Sequence, residues 1–222
     1  DAPILRDVTA VAQADHVLIE STYGDRLHRP LPETLAELGS ILRDAARDRG
    51  NVLVPAFAVG RAQELIYLFG RHYDEWGLRR WQVFLDSPLA IEATGVYMRH
   101  GDLWDEEARA RWRGRNLADL LPNLRVTRTP KQSMEINRVA SGAIIIAGSG
   151  MCEGGRIRHH FKHNLWRSGC HVIFTGYQAA GTLGRRIVDG ARFVQLWGES
   201  VKVGAAVHTV GGLSAHADQA GL

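Results

Sequence analysis

Long apolar runs and cysteine are both scarce in this sequence of 222 residues. The longest apolar runs, such as Ala143–Ala147, are far too short to span a bilayer, which argues against a membrane protein. Two cysteines, Cys152 and Cys170, cannot form the disulfide framework of a small secreted domain. We therefore expect a reduced, cytoplasmic protein with no membrane partner.

Lysine is also rare, and it occurs only at Lys131, Lys162 and Lys202. Arginine supplies the remaining positive charge, and the formal net charge is a mild +3. Arginine suits bidentate phosphate recognition, but a codon bias toward arginine explains the composition equally well. A hydrophobic fraction of 45% is that of an ordinary globular protein. Composition alone therefore assigns no nucleic-acid ligand.

Short apolar runs alternate with amphipathic segments along most of the chain. We predict strands at 17–19, 51–54, 81–85, 124–127, 143–147 and 171–174, and a strand pair at 192–197 and 201–207. We predict helices at 30–49, 62–73, 89–99, 133–139, 156–166 and 183–188, with one or two more in 102–121. Continuous apolar strands that alternate with helices indicate an α/β fold, with a mainly parallel sheet covered by helices on both faces.

Ligands of such sheets bind beyond the carboxyl ends of the strands. This rule selects four segments, which are 57–61, 86–87, 149–156 and 178–185. Two of these are glycine-rich turns that lead into helices, and they carry Arg156 and Arg185. Backbone N–H groups at a helix start favour a phosphate, but tight strand–helix packing explains such turns as well. Neither turn matches a phosphate-loop or dinucleotide fingerprint.

The histidine-rich run at 158–163 falls on one predicted helix. His159 and His163 are four residues apart and could share a metal ion, but no acidic or cysteine ligand accompanies them at a helical spacing. We favour a solvated basic helix face. The arginines at 109–115 are interpreted in the same way.

The two ends of the chain carry the most chemically suggestive residues. Glu20 follows the apolar run 17–19, and His216 and Asp218 follow the Gly211-Gly212 turn. A histidine positioned by carboxylates can protonate a leaving oxygen or bind a phosphate. A lone His–Asp pair is more often structural, so this pattern alone does not settle a role.

Six segments together resemble the β-CASP nucleases of the metallo-β-lactamase superfamily, and above all the bacterial and archaeal RNA-processing exonuclease-like group. They are Ile19-Glu-Ser-Thr-Tyr-Gly24, Pro55-Ala-Phe-Ala-Val-Gly-Arg-Ala-Gln-Glu64, Leu85-Asp-Ser-Pro-Leu-Ala90, Ala147-Gly-Ser-Gly-Met-Cys-Glu-Gly-Gly-Arg156, Gly176-Tyr-Gln-Ala-Ala-Gly-Thr-Leu-Gly-Arg185 and Val207-His-Thr-Val-Gly-Gly-Leu-Ser-Ala-His-Ala-Asp218. The resemblance covers essentially the whole chain, in the family's order.

The resemblance implies a Rossmann-like β-CASP domain inserted into a metallo-β-lactamase domain, with two zinc ions between them that activate water to cleave RNA. It implies catalytic roles for Glu20, His216 and Asp218. It also implies substrate-phosphate contacts, which we expect at Ser149, Gly150, Met151, Arg156, Gln178, Gly181, Thr182, Arg185 and Ser214, with further RNA contacts at Phe57 and Arg61. Single-stranded RNA and the rest of the parent domain are the expected partners. A homo-oligomer stays open, because the sequence does not indicate an oligomeric state.

The family's main zinc motif, His-x-His-x-Asp-His, does not occur in this sequence. We expect the zinc ligands to precede Asp1 and the third β-CASP motif to follow Leu222. The predicted division is a metallo-β-lactamase flank at 1–24, a β-CASP domain at 25–214 and a returning segment at 215–222. We expect no metal bound by this chain and no RNA hydrolysis by this span alone.

Two other functions remain open on the sequence. The chain could be a non-catalytic nucleic-acid-binding module, or a nucleotide-binding α/β domain, although the latter lacks any nucleotide fingerprint. Exonuclease and endonuclease activity are equally compatible with the residues.

Overall fold

The computed structural model describes residues 3–7, 9 and 11–222. Residues 1, 2, 8 and 10, all in the predicted N-terminal flank, lie outside this description. Eight α-helices occur in the described residues: α1 Leu31–Asp48, α2 Arg61–Arg71, α3 Pro88–Arg99, α4 Glu106–Trp112, α5 Leu117–Leu120, α6 Pro130–Ile136, α7 Ile157–Asn164 and α8 Leu183–Val188. Short 3-10 turns lie at Leu78–Arg80 and Gly101–Leu103.

Eight strands occur in the same part of the chain: β1 Val52–Pro55, β2 Gln82–Asp86, β3 Leu124–Val126, β4 Ala143–Ala147, β5 His171–Phe174, β6 Phe193–Leu196, β7 Glu199–Lys202 and β8 Ala206–Thr209. Six of them form one sheet in the order β3-β2-β4-β1-β5-β8, and every neighbouring pair is parallel. Strands β6 and β7 form a separate antiparallel hairpin. The predicted α/β fold with a mainly parallel sheet is confirmed.

Each central strand contributes to two hydrophobic cores, one on each face of the sheet. Val52, Val54 and Ile144 pack under α1, α2 and α3, whereas Leu53 and Ile145 pack under α7 and α8. All five side chains are fully or almost fully buried. This two-sided burial is why the strands read as continuous apolar runs and not as alternating ones.

Helix starts follow ordinary capping chemistry. Ser87 caps α3 by accepting a hydrogen bond from Ala90 N at 3.2 Å, with Pro88 in the first turn, as the sequence predicts. The prediction of a helix at 133–139 is wrong by three residues, because α6 already begins at Pro130. Thr129 caps it by accepting Gln132 N, and the Gln132 side-chain oxygen in turn accepts Thr129 N.

Two strand predictions are wrong. The run Val17–Ile19 is not a strand, and Val17 and Leu18 are 78% and 95% exposed, because no described element lies beside it to supply hydrogen bonds or apolar cover. The segment 201–207 is not one strand. Its first part ends β7, and after a break at 203–205 the chain joins β5 as the parallel edge strand β8. None of the helices in the described residues is long and apolar enough to cross a bilayer.

Candidate active site

A cleft of about 360 Å³ opens at the carboxyl ends of β1, β4 and β5. The chain leaves β1 toward α2 on one face of the sheet, and it leaves β4 toward α7 on the other face. Because β1 and β4 are neighbours, their connections diverge and open a crevice between them. This is the topological switch point at which open α/β sheets bind ligands.

The turn after β1 forms one wall of this cleft. Phe57 is half exposed and lines the cleft together with Arg61, the first residue of α2. Arg61 forms an ion pair with Glu64, one helical turn further on. Burial raises the pKa of Glu64 to about 7 even though Arg61 opposes the shift, and burial also lowers the pKa of Arg61. The predicted contact residues Phe57 and Arg61 therefore do lie at the cleft.

The turns after β4 and β5 form the opposite wall, and a glutamine joins them. The nearly buried Gln178 donates from Nε2 to Gly150 O at 3.0 Å. Gly150 packs so closely on Phe57 that a Cβ atom at this position would lie 2.8 Å from its ring. Met151 lines the cleft beside them. Glycine at position 150 is therefore required by close packing across the cleft.

Several predicted phosphate contacts lie outside the cleft lining. Ser149 Oγ accepts Gly154 N at 3.2 Å and closes its own turn. Thr182 caps α8 by accepting Arg185 N at 3.2 Å, and the Arg185 guanidinium pairs with Asp189 at 2.8 Å. Gly181, at a positive φ of 84°, shapes the turn before this cap. These residues stabilise the turns and the helix start behind the cleft and are not part of its lining.

Glu20 and His216 come together at the mouth of the cleft from opposite ends of the chain. His216 Nδ1 lies 3.3 Å from Glu20 Oε2, and His216 lines the cleft with Ser214. Glu20 also accepts Thr22 N at 2.8 Å and Ala217 N at 3.2 Å. The hydrogen bonds from Thr22 are the main cause that lowers the pKa of Glu20. The side chain is therefore held as a carboxylate beside the imidazole.

Asp218, which we expected to take part in catalysis, binds backbone N–H groups and does not pair with the His216 ring. Its carboxylate accepts the backbone N–H groups of His28 at 2.9 Å, Gly221 at 3.0 Å and Ala220 at 3.1 Å, and these bonds lower its pKa. The imidazole of His28 in turn contacts His216 O at 2.9 Å. Asp218 thus ties the two ends of the chain together, and Glu20 is the carboxylate that meets His216.

Sequence reasoning missed the aromatic partner of this pair. The Tyr23 ring lies 4.6 Å from His28, 5.9 Å from Tyr177 and 6.3 Å from His216, measured between ring centroids. Burial raises the pKa of Tyr23, so its hydroxyl stays protonated at neutral pH. Tyr23 lies within the Ile19–Gly24 motif, from which only Glu20 was taken as a site residue.

Sequence reasoning also missed a buried polar network at the end of β2. Asp86 is fully buried, and its carboxylate accepts Ser133 Oγ at 2.6 Å, His160 Nε2 at 2.6 Å and Arg156 Nη1 at 2.7 Å. Burial raises its pKa, but the bonds from His160, Ser133 and Thr127 outweigh burial and lower the pKa to about 2.

This network corrects the expectation for Arg156, which also donates to Thr127 O at 2.8 Å. Its guanidinium is held inside the protein and does not project into the cleft. The network also changes the view of the histidine-rich helix, because the buried histidine is His160 and not His159 or His163.

No group of three or more His, Cys, Asp or Glu side chains within residues 3–7, 9 and 11–222 is placed to hold a metal ion. The Glu20–His216 pair supplies at most two ligands, and a zinc site needs three or four. The described residues therefore do not fit a metal centre by themselves.

Comparison with known proteins decides the family. Residues 62–187, more than half of the chain, match the family model described as the Beta-Casp domain. The chain belongs to the β-CASP family. The resemblance inferred from the sequence motifs is thereby confirmed, and the matched residues run from the start of α2 to α8.

Full-length relatives extend well beyond this β-CASP chain. Ribonuclease TTHA0252 of Thermus thermophilus is 41% identical over 97% of the chain and 50% of its own length. An RNase J-like protein of Methanocaldococcus jannaschii is 30% identical over 95% of the chain and 48% of its own length. The transcription termination factor FttA of Methanococcus maripaludis is 31% identical over 91% of the chain and 33% of its own length. The chain thus spans a third to a half of these relatives.

Proposed function

We propose that this chain is the substrate-binding part of a metal-dependent ribonuclease that hydrolyses RNA phosphodiester bonds. The observation that carries the proposal is the Glu20–His216 pair, which both ends of the chain bring to the mouth of a cleft at the sheet's switch point. The ribonuclease and RNase J-like names of the relatives support the same activity.

The pair suits phosphate chemistry. Glu20 contacts His216 through Nδ1, which leaves Nε2 of the ring free to meet substrate. An imidazole oriented in this way can donate a hydrogen bond to a phosphate oxygen or a proton to a leaving oxygen. In this proposal Glu20 is the positioning residue and His216 is the group that contacts the scissile phosphate.

The cleft suits a single strand of RNA. Its lining is largely apolar and aromatic, with Phe57 and Tyr177 both partly exposed. Single-stranded nucleic acids bind by stacking their bases on such side chains. Gly150 and Gly176 bring backbone to the cleft surface, where N–H groups can meet phosphates.

We expect the metal, zinc in this proposal, to be bound by ligands outside the described residues, in the remaining part of the parent protein. The two free cysteines, Cys152 and Cys170, are both buried, which suits the proposed cytoplasmic location. A homo-oligomer remains a proposal.

The binding part of the proposal is tested with the purified chain and a fluorescent single-stranded oligouridine. We expect an affinity that falls steeply and linearly with salt on a log–log plot, because phosphate contacts release counterions. A mononucleotide should bind weakly. Tight mononucleotide binding with a shallow salt dependence would instead support a nucleotide-binding domain.

The catalytic part is tested by comparing this span with the full-length protein. We expect the span alone to bind no stoichiometric zinc and to leave RNA intact, and the full-length protein to cleave it. Zinc binding together with RNase activity in the isolated span would overturn the assignment of the metal site to another region. A full-length protein that binds RNA without cleaving it would support a non-catalytic binding module.

A further inference from the structure

The β6–β7 hairpin has an unusual residue at its turn. Leu196 pairs with Glu199, so the loop consists only of Trp197 and Gly198. Both have positive φ angles, 51° and 81°. Such two-residue turns favour Asn-Gly, because a bulky side chain is strained in the left-handed region. Trp197 is half exposed, so it adds little to the hydrophobic core. Core packing therefore does not explain why a tryptophan occupies a turn position that favours Asn or Gly.

Trp197 lies against the basic face of α7. The Arg158 guanidinium lies 4.9 Å from the centre of the indole ring, and the His159 ring centroid lies 4.4 Å away. Residues 157–164 contain no acidic side chain. An exposed aromatic ring beside a guanidinium is an arrangement on which single-stranded nucleic acids can stack a base and place a phosphate.

The outer face of the hairpin continues this chemistry. Phe193 is 60% exposed and lies directly opposite Lys202 on β7. Glu199, the one acidic residue in 192–202, is paired with Lys162 of α7 at 2.7 Å. The group of Arg158, His159 and Trp197, with Phe193 and Lys202 on the outward side of the same hairpin, is here called the hairpin surface. It presents exposed aromatic rings, and its positive charge comes from Arg158 and Lys202, neither of which forms an ion pair with another described residue.

The hairpin surface lies next to the cleft across a single turn. The segment 148–156 supplies Gly150 and Met151 to the cleft and leads directly into α7. Arg158 folds back on that segment by donating to Glu153 O at 3.2 Å. A strand of RNA that leaves the cleft over this turn therefore meets Arg158 and Trp197 next.

We propose that the hairpin surface is a second contact site for single-stranded RNA, which binds the part of the substrate outside the cleft by stacking a base on Trp197. This inference rests on the proposed function, and it adds a site that the cleft does not include. A protein partner at the same surface is the competing outcome.

The test uses the full-length protein with Trp197→Asn, which replaces the strained tryptophan by the residue that the turn prefers. We expect an unchanged or higher melting temperature. For a 25-nucleotide oligouridine, kcat/KM should fall roughly five- to hundred-fold, the equivalent of one lost base stack. For a 5-nucleotide substrate that fits within the cleft, kcat/KM should not change. Trp166→Asn is the matched control, because Trp166 is equally exposed beyond the end of α7 and should leave both substrates unaffected.

The outcomes separate the two proposals. If wild-type protein cleaves both RNAs and Trp197→Asn leaves both rates unchanged, the second site is refuted and the proposed function stands. A fall in melting temperature with unchanged rates would show that Trp197 is only structural and would also refute the site. Loss of binding to another protein, with RNA cleavage unaffected, would assign the surface to that partner and refute the RNA contact. If wild-type protein neither binds nor cleaves RNA, the proposed function itself fails.

Discussion

At the scale of single residues, the site depends on a carboxylate and an imidazole that are almost two hundred positions apart in sequence. Glu20 is fixed by Thr22 N and Ala217 N, and it holds His216 at 3.3 Å. The sequence motifs identified both residues as site candidates, and the predicted domain insertion, in which the two ends of the chain lie together, anticipated their meeting. The motifs did not indicate the role of Asp218. Its carboxylate accepts three backbone N–H groups, and such contacts cannot be recognised from the spacing of side chains in the sequence.

Asp86 is the residue on which we expect stability to depend most. Asp86→Ala leaves the Arg156 guanidinium and the His160 ring without their buried acceptor, and breaking such a pair typically costs about 3–5 kcal/mol. Urea denaturation at neutral pH measures the loss. Asp44→Ala is the control, because Asp44 pairs with Arg47 at the surface and should change the free energy of unfolding by less than about 1 kcal/mol.

The same network predicts an acid dependence. The folded-state pKa of Asp86, about 2, lies below the ordinary aspartate value of 3.8. Its ionisation therefore stabilises the fold fully above pH 3.8, and this contribution of about 2 kcal/mol is lost as the pH falls toward 2. The gap in unfolding free energy between wild type and Asp86→Ala should narrow over that range. A gap that is constant from pH 6 to pH 2.5 would contradict this account of the network.

His160 illustrates what residue patterns leave out. Spacing singled out His159 and His163 as a possible metal pair, whereas the folded chain buries His160 against Asp86 and leaves the other two at the surface. Which histidine turns inward depends on the rotation of α7 about its axis. That rotation is set by Ile157 and Phe161, which pack in the core. These two apolar residues are difficult to recognise as a helix face because basic residues surround them in the sequence.

At the scale of elements, helices and central strands follow from the sequence because their signals are local. Ser87, for example, marks the start of α3 by capping it, and the continuous apolar run 143–147 marks both ends of β4. The errors occur where a partner decides the outcome. The 201–207 segment is split because its second half gains hydrogen bonds from β5, a long-range pairing that periodicity does not report.

The loop that carries His216 is held by α1, and this predicts a sharp difference between two adjacent glycines. Gly212 has φ of 99°, and a Cβ atom there would lie 2.3 Å from Thr34 Oγ1 and 2.6 Å from Arg29 O. Gly211 has open space around its Cα, and its carbonyl accepts Thr34 Oγ1 at 2.7 Å. We expect Gly212→Ala to destabilise the protein by about 1–3 kcal/mol and to reduce RNA cleavage, since the loop must move.

Gly211→Ala is the matched control and should leave both properties nearly unchanged. Melting temperature and cleavage rate of the full-length protein measure the two effects. Equal behaviour of the two variants would show that the position of the loop does not depend on its contact with α1.

At the scale of the whole molecule, the chain spans a third to a half of its relatives' length, and a bridge between Tyr23 and Asp218 brings its first and last segments together. Val17 and Leu18 are apolar yet exposed, and no described element covers them. The predicted division at residues 24 and 214 remains a prediction. The motifs were enough to indicate the β-CASP family, whereas the predicted strand at 17–19 has no partner among the described residues.

The central claim is that His216, held by Glu20 at the mouth of the cleft, acts on the scissile phosphate. The most direct test is the single-turnover cleavage rate of a single-stranded RNA by the full-length protein carrying His216→Ala. The control is His100→Ala, an exposed histidine at the end of α3 and outside the cleft. We expect the His216 variant to keep its melting temperature and to lose ~10² to 10⁴ in rate, while the control cleaves at the wild-type rate. A His216→Ala protein that folds and cleaves RNA at the wild-type rate would contradict the account.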